Sequence, residues 1–201
     1  MKISALMIPD PIAVAPNSSI EEAIELMKIN SIRHLPVVSA DRSLAGFVTL
    51  SDLKQGLIPS MVGDVGLKDL MIKDPITVNP EDDIETAARL IYKHKIGGLP
   101  VVKKGKVVGI ITETDMLRLF IDMMGILATS SRIDVVIGDK PGGVKKVMQI
   151  INDRGGEIMS VGMTAQQADG RTYYFRLSPC ETAGIRAAIE KAGFTVELAM
   201  N

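Results

Sequence analysis

The sequence predicts an α/β (α+β) fold in three parts. Two tandem copies of a small β-α-β-β-α unit should pack as a pseudo-twofold pair, and a βαββαβ unit of the ferredoxin-like kind should follow. Three observations predict this. Met7-Ile-Pro-Asp-Pro-Ile-Ala-Val-Ala-Pro16 returns 64 residues later as Met71-Ile-Lys-Asp-Pro-Ile-Thr-Val-Asn-Pro80. The corner Gly46-Phe-Val-Thr-Leu-Ser-Asp52 returns 63 residues later as Gly109-Ile-Ile-Thr-Glu-Thr-Asp115. Beyond residue 131, strand-like alternation and helix-like spacing succeed one another in the order βαββαβ. The expected boundaries are 1–62, 63–127 and 128–201.

Each copy opens as a short strand between prolines and continues into a helix, with Ser18-x-x-Glu21 and Asp82-x-x-Glu85 as capping-box-like starts. Ile20, Ala23, Ile24 and Met27, like Ile84, Ala87, Ala88 and Ile91, follow i, i+3, i+4, i+7 and predict one buried stripe per helix. Ile32-Arg-His-Leu-Pro-Val-Val38 and Ile96-Gly-Gly-Leu-Pro-Val-Val102 are the next strands, and in them Arg33-His34 is exchanged for Gly97-Gly98. A polar turn leads to the closing strand and its Thr-x-x-Asp corner. A helix N-terminus offers free N–H groups and partial positive charge to an anion. There Thr49, Ser51, Thr112 and Thr114 could add hydroxyls, and Asp52 and Asp115 could accept from a diol. The same residues also suit plain N-caps; two equivalent corners are what favour a pair of sites.

From Thr112 to about Leu127 a helix containing Met116, Met123 and Met124 runs past the repeat, and its apolar surplus predicts a packed connector ending in an Ala128–Ser131 hinge. Arg132–Gly138 then alternates as a strand. Asp139-Lys-Pro-Gly-Gly143 turns into a helix with Val144, Val147, Met148 and Ile151 on one face, closed by Gly155-Gly156. Strands over 158–164 and 172–177 flank an Asp169-Gly170 turn, and a helix over 181–192 and a strand over 194–200 complete the unit.

Composition narrows the chemistry. The chain has 201 residues, 46% of them hydrophobic, and a net charge of −1. Residues 1–130 carry −2 and residues 131–201 carry +1, so neither part has the basic excess that nucleic acid requires. One cysteine and two histidines exclude an intrachain disulfide and argue against a multi-ligand metal site. A reducing cytoplasm fits this usage. The faintly leader-like start is interrupted by Pro9, Asp10 and Pro11, and no apolar run approaches the ~20 residues needed to span a bilayer. Catalysis lacks candidates: Cys180, expected at the opening of the last helix, has no histidine in its domain, and His94 reads as a helix C-terminal cation. Glu113 and Asp115 would not converge on one atom. RNA-recognition domains share the βαββαβ order and third-strand aromatics, as at Tyr173, Tyr174 and Phe175, but their basic-Gly-aromatic signature is missing here. Alternation puts Tyr173 and Phe175 on one face, expected to be the helix-covered core.

On the paired Gly-h-h-Thr-x-x-Asp corners and h-x-x-Leu-Pro-Val-Val strands (h, hydrophobic), residues 7–58 and 71–122 resemble two cystathionine-β-synthase (CBS) domains forming a Bateman module. The resemblance implies sites for an adenosine derivative (AMP, ADP, ATP or S-adenosylmethionine) and no cofactor beyond such a ligand. These sites would be built from Ile12, Ala13, Arg33, His34, Pro36, Thr49, Ser51 and Asp52, and from Ile76, Thr77, Gly98, Leu99, Pro100, Thr112, Thr114 and Asp115. The base would lie near Ile12-Ala13 or Ile76-Thr77, the ribose on the Asp, and phosphates near the Thr and the Arg33-His34 pair. Ala13 lacks the hydroxyl of Thr77, and Gly97-Gly98 lack basic side chains, so the two sites should differ.

The Asp139-Lys-Pro-Gly-Gly143 loop resembles the Asp-x-Pro-Gly loop of ACT domains, which implies an amino acid or other small effector near Asp139, Gly142 and Gly143. The whole order resembles the bacterial acetoin-utilisation B-type proteins. It implies a cytoplasmic, non-catalytic regulator that forms a homodimer and acts on an enzyme, with no nucleic-acid or membrane partner. The alternative is a dimerising scaffold without a nucleotide function.

Overall fold

The computed structural model describes residues 1–56, 65–138, 141–164 and 170–201. The expected boundary after residue 62, together with Asp139 and Asp169, lies outside the described residues. The chain divides into two compact units, Met1–Leu117 and Arg118–Asn201.

In the first unit, β1 (Ile8–Pro9) is two residues long and α1 (Ile20–Ile29) follows it. After the second proline of each repeat start, strand formation is reduced to one parallel bridge, Val14 to Val37 and Val78 to Val101. Val14 N–H donates to Pro36 O (3.1 Å) and Val78 N–H to Pro100 O (3.2 Å). The flanking prolines lack N–H groups, so the ladder cannot extend. Ser19, not Ser18, caps α1: its Oγ accepts from Glu22 N–H at 3.0 Å. Ile20, Ala23 and Met27 are buried beneath that helix.

A hairpin of β2 (His34–Val38) and β3 (Leu44–Thr49) leads into α2 (Leu50–Gly56). After α3 (Leu67–Leu70), the second copy repeats the plan with α4 (Ile84–His94), β4 (Gly98–Lys103), β5 (Lys106–Thr112) and α5 (Glu113–Met124). No side-chain bond caps α4 at Asp83; Asp82 accepts from Asn79 N–H (2.8 Å) instead, so the expected box at Asp82 and Glu85 does not form. Ala88 is exposed and Ala87 buried, so the stripe rests on Ile84 and Ala87 with Ile91 half-buried. The β4–β5 turn is left-handed at Lys104 and Gly105, the geometry that matches strand twist.

The copies interlock crosswise. β1 pairs with β5 of the other copy (Ile8 with Ile110), and Phe47 in β3 bridges Ile72 through Phe47 N–H to Ile72 O (3.0 Å) and Ile72 N–H to Phe47 O (2.9 Å). Gly46 and Gly109 make this approach possible. A β-carbon on Gly46 would stand 3.0 Å from Ile72 O, and one on Gly109 would stand 3.1 Å from Ile8 O. The hairpin tips also meet, with Leu44 N–H donating to Gly105 O and Val107 N–H to Arg42 O.

In the second unit, β6 (Ser131–Ile137), α6 (Gly143–Asp153), β7 (Ile158–Met163), β8 (Arg171–Leu177), α7 (Ala183–Lys191) and β9 (Thr195–Met200) give the expected βαββαβ order in an antiparallel sheet β7-β8-β6-β9. Ile133, Val135, Phe175, Leu177, Ile151 and Ile185 form its core. Tyr173 and Phe175 stack at 6.4 Å on the core side. Cys180 precedes α7 by three residues: Ser131 Oγ accepts its N–H (2.8 Å) and donates to its carbonyl (2.9 Å). Within a single chain the connector helix α5 leaves Leu117, Phe120 and Met123 more than half exposed. Its end is held within the second unit by Ser160 Oγ donating to Met124 O (3.0 Å) and Arg176 Nη1 donating to Ser130 Oγ (2.7 Å).

Leu99 is fully buried on β4. Leu99→Ala is expected to destabilise the chain by about 2–5 kcal/mol, as truncations of buried leucines do, read as a lower urea midpoint.

Candidate functional site

The two Thr-x-x-Asp corners have one geometry. Asp115 Oδ2 accepts from Thr112 N–H (2.8 Å) and Thr112 Oγ1–H (2.7 Å), and Asp115 N–H donates back to Thr112 Oγ1 (3.4 Å). Asp52 Oδ2 takes the matching bonds from Thr49 at 2.9 and 2.7 Å, with a return bond of 3.3 Å. Both threonine hydroxyls therefore spend their proton inside the corner, and the cap reading holds for them. What the second corner leaves for a ligand is the other Asp115 oxygen and the Thr114 hydroxyl, and what the first leaves is the Ser51 hydroxyl.

Two clefts flank these corners. The larger, about 630 Å³, is lined by Thr49, Ser51 and Lys54 on one side and by Ile72, Asp74 and Ile76 of the second copy on the other. The smaller, about 280 Å³, is lined by Thr112, Thr114 and Asp115 with Ile8, Pro11 and Ile12 of the first copy. Both sizes lie near the range typical of small-molecule sites. Each cleft thus combines the polar corner of one copy with the apolar opening segment of the other, as the crossed β1–β5 and Phe47–Ile72 pairings require. Glu113 faces the larger cleft and Asp115 the smaller, so these carboxylates do not converge.

Arg33, His34 and Gly97 line both clefts. The space beside Gly97 and Gly98 is filled by the first copy's His34. A β-carbon on Gly97 would come 2.6 Å from His34 Nε2, and one on Gly98 would come 3.6 Å from His34 Cγ. The ring stacks on Phe47 with centroids 5.9 Å apart. Burial, then the Arg33 charge, lowers the His34 pKa against weaker pulls from Glu113 and Asp52. Arg33 Nη2 lies 3.6 Å from Glu113 Oε1, and both side chains are more than half exposed.

Several expected contacts are not brought to the clefts. Pro36, Leu99 and Pro100 are buried and absent from both linings, because β2 and β4 turn them to the interior. Ala13 and Thr77 are also outside the linings, and the adjacent Ile12 and Ile76 form the walls. Asp52 sits behind Thr49, half-buried. Lys54, Lys95, Phe47 and Glu113 were not expected at a site; alternation along β3 could have indicated Phe47, which lies two residues before Thr49.

In the second unit, Gly142 and Gly143 line a groove of about 1030 Å³ with Ile137, Lys145, Asn152 and Tyr173. Gly142 has φ 78°, and a β-carbon on Gly143 would strike the Ile137 side chain at 2.8 Å. Among the described residues no group of three or more His, Cys, Asp and Glu side chains could hold a metal ion, and no helix is long and apolar enough to cross a membrane.

The CBS domain family model matches residues 3–58 and 67–122, more than half of the sequence, and the chain belongs to the CBS domain family. A CBS domain pair solved with 5′-methylthioadenosine and S-adenosyl-L-methionine is 30% identical, with TM-score 0.56, over 60% of this chain and 95% of that one. The Arabidopsis thaliana CBS-pair protein CBSX2, solved with AMP, is 31% identical, with TM-score 0.53, over 60% and 96%. A Vibrio cholerae structure named for acetoin utilization is 32% identical, with TM-score 0.57, over 63% and 95%. The chain is also 41% identical over 114 residues to homoserine O-acetyltransferase of Methanocorpusculum labreanum, and 38% over 116 residues to inosine-5′-monophosphate dehydrogenase of Korarchaeum cryptofilum. These matches take 56% and 57% of this chain, and the chain spans about a quarter of the length of each of these relatives (23%).

The lowered His34 pKa sets a pH dependence. The folded protein resists protonating a ring that the unfolded chain protonates near pH ~6.5, so stability is full above that pH and falls as pH drops toward the lowered folded value. Thermal midpoints are expected to decline below about pH 6.5, and His34→Gln should flatten that decline. An unchanged slope in the variant would assign the titration to another group.

Proposed function

We propose that the first unit is a non-catalytic sensor of adenosine-containing ligands, with one site in each cleft, and that the second unit is an ACT-like effector domain. The domains are read as CBS domain 1 (1–62), CBS domain 2 (63–127) and ACT-like domain (128–201). The observation that carries the reading is the crosswise build of the clefts. An apolar wall from one copy (Ile12 or Ile76) faces a Thr-x-x-Asp corner of the other, and at the smaller cleft one Asp115 oxygen is engaged by Thr112 while the second is left to accept from a ribose diol. The AMP, S-adenosyl-L-methionine and methylthioadenosine in the solved CBS pairs support this ligand class; ADP and ATP share the same nucleoside. The groove at Gly142 and Gly143 supports a small effector such as an amino acid.

Ligand occupancy would be passed to a regulated enzyme in the cytoplasm. Support comes from the similar segments in two proteins named as enzymes, each of which is far longer than the matched region. A homodimer would cover the exposed apolar face of α5 around Leu117, Phe120 and Met123. That same face favours the second reading, a dimerising scaffold with no nucleotide function. A rise of the thermal midpoint with AMP, ATP or S-adenosylmethionine separates the two readings, because only binding to the folded state produces it.

Asp115→Asn is expected to weaken adenosine and AMP alike at the smaller cleft, since both carry the diol. A lost hydrogen bond to a charged acceptor, roughly 1.5–3 kcal/mol, corresponds to about 10- to 150-fold in affinity by calorimetry. Unchanged affinity would leave Asp115 as a helix cap alone.

A further inference from the structure

We propose that Arg33 is a single cation shared by the two clefts, so that a phosphate-bearing ligand in one weakens the binding of a phosphate-bearing ligand in the other. This rests on the reading of the clefts as nucleotide sites. Arg33 and His34 occur once in the repeat, at the positions that Gly97 and Gly98 hold in the second copy, and Arg33 lines both clefts. Among the described residues lining the smaller cleft, Arg33 is the only Lys or Arg and stands against Asp115. The larger cleft also has Lys54 and Lys95, against Asp74 and Glu113. Burial and then the Arg33 charge lower the His34 pKa, so the ring is a weaker cation than Arg33 for either cleft.

The guanidinium is free to choose a side. Its one ion pair among the described residues, to Glu113, is long at 3.6 Å and exposed, and exposed pairs of this kind hold a side chain weakly. A planar guanidinium grips a phosphate through parallel N–H bonds in a single orientation, so it cannot serve both clefts together. When the larger cleft takes Arg33, the smaller is left with the Asp115 carboxylate and no compensating cation, and a second phosphate there is disfavoured. When the smaller cleft takes it, the larger still has two lysines. The coupling is therefore negative, reciprocal in free energy and specific to anionic ligands. An uncharged nucleoside needs no cation and should fill both clefts independently.

Calorimetric titration of the full chain with AMP and, separately, with adenosine tests this. For the wild type, AMP should show two affinities separated by roughly tenfold or more, whereas adenosine should show two sites without that separation. Lys95→Ala, which alters only the larger cleft, identifies which AMP affinity belongs to it. Arg33→Ala should weaken AMP most at the smaller cleft and less at the larger one, where Lys54 and Lys95 remain, while leaving adenosine affinity at both unchanged. Two AMP sites with unchanged separation in Arg33→Ala, or an equal separation for adenosine in the wild type, would overturn the shared cation and leave the nucleotide reading standing. A wild-type chain that binds neither adenosine nor AMP would overturn both.

Discussion

The rest of the first unit depends on the close backbone crossing at Gly46 and Gly109. At each, the closing strand of one copy receives the opening Met-Ile of the other, and a side chain of any size would meet the Ile72 or Ile8 carbonyl near 3 Å. A methionine thioether can move aside, but a hydrogen-bonded carbonyl cannot do so without giving up its bond. From this constraint follow the antiparallel pairing of β1 with β5, the Phe47–Ile72 bridge, and the exchange of cleft walls between copies. Neither copy could form a cleft by itself, because the apolar half always arrives from its twin.

Within that near-symmetric frame, asymmetry is concentrated at one spot. His34 lies against Gly97 and Gly98, so the side chain added in the first copy occupies the space left by the second. The exchange costs the second copy its polar groups and gives both clefts a common wall of Arg33, His34 and Gly97. The result is one cleft of about 630 Å³ lined by Arg33, Lys54 and Lys95 and one of about 280 Å³ in which Arg33 is the only Lys or Arg among the described lining residues. A duplicated fold has thereby acquired two non-equivalent pockets without any change in strand order.

Much of this was legible in the sequence, because a repeat exposes its own frame. The Thr-x-x-Asp corners, both hairpins and the βαββαβ order of the second unit follow from residue types whose local preferences agree with the fold. The unexpected features are long-range. Prolines beside Ile12 and Ile76 reduce the opening strands to single bridges, which depends on the partner strand as much as on the segment. The capping serine shifts by one residue to Ser19, because the first turn is placed by burial of Ile20. Leu99, Pro36 and Pro100 belong to strands that border the clefts, yet those strands are covered on both faces at these positions, so the three are buried. Lys54 and Lys95 sit near helix ends and carry no local signal of a site. The connector helix displays an apolar surplus in its sequence but covers Met116, Leu119, Ile121 and Met124 only in part and leaves Leu117, Phe120 and Met123 exposed, so periodicity alone could not say what it packs against.

The central claim is that each ligand bridges the two copies, with its base on one and its ribose on the other. Backbone amide NMR of the full chain during an AMP titration tests this most directly. The crosswise arrangement predicts that Ile76 shifts together with Ser51 in one binding phase, and Ile12 together with Thr114 in the other. Phases in which Ile12 moves with Ser51, or Ile76 with Thr114, would mean that each copy binds its own ligand and would contradict the account.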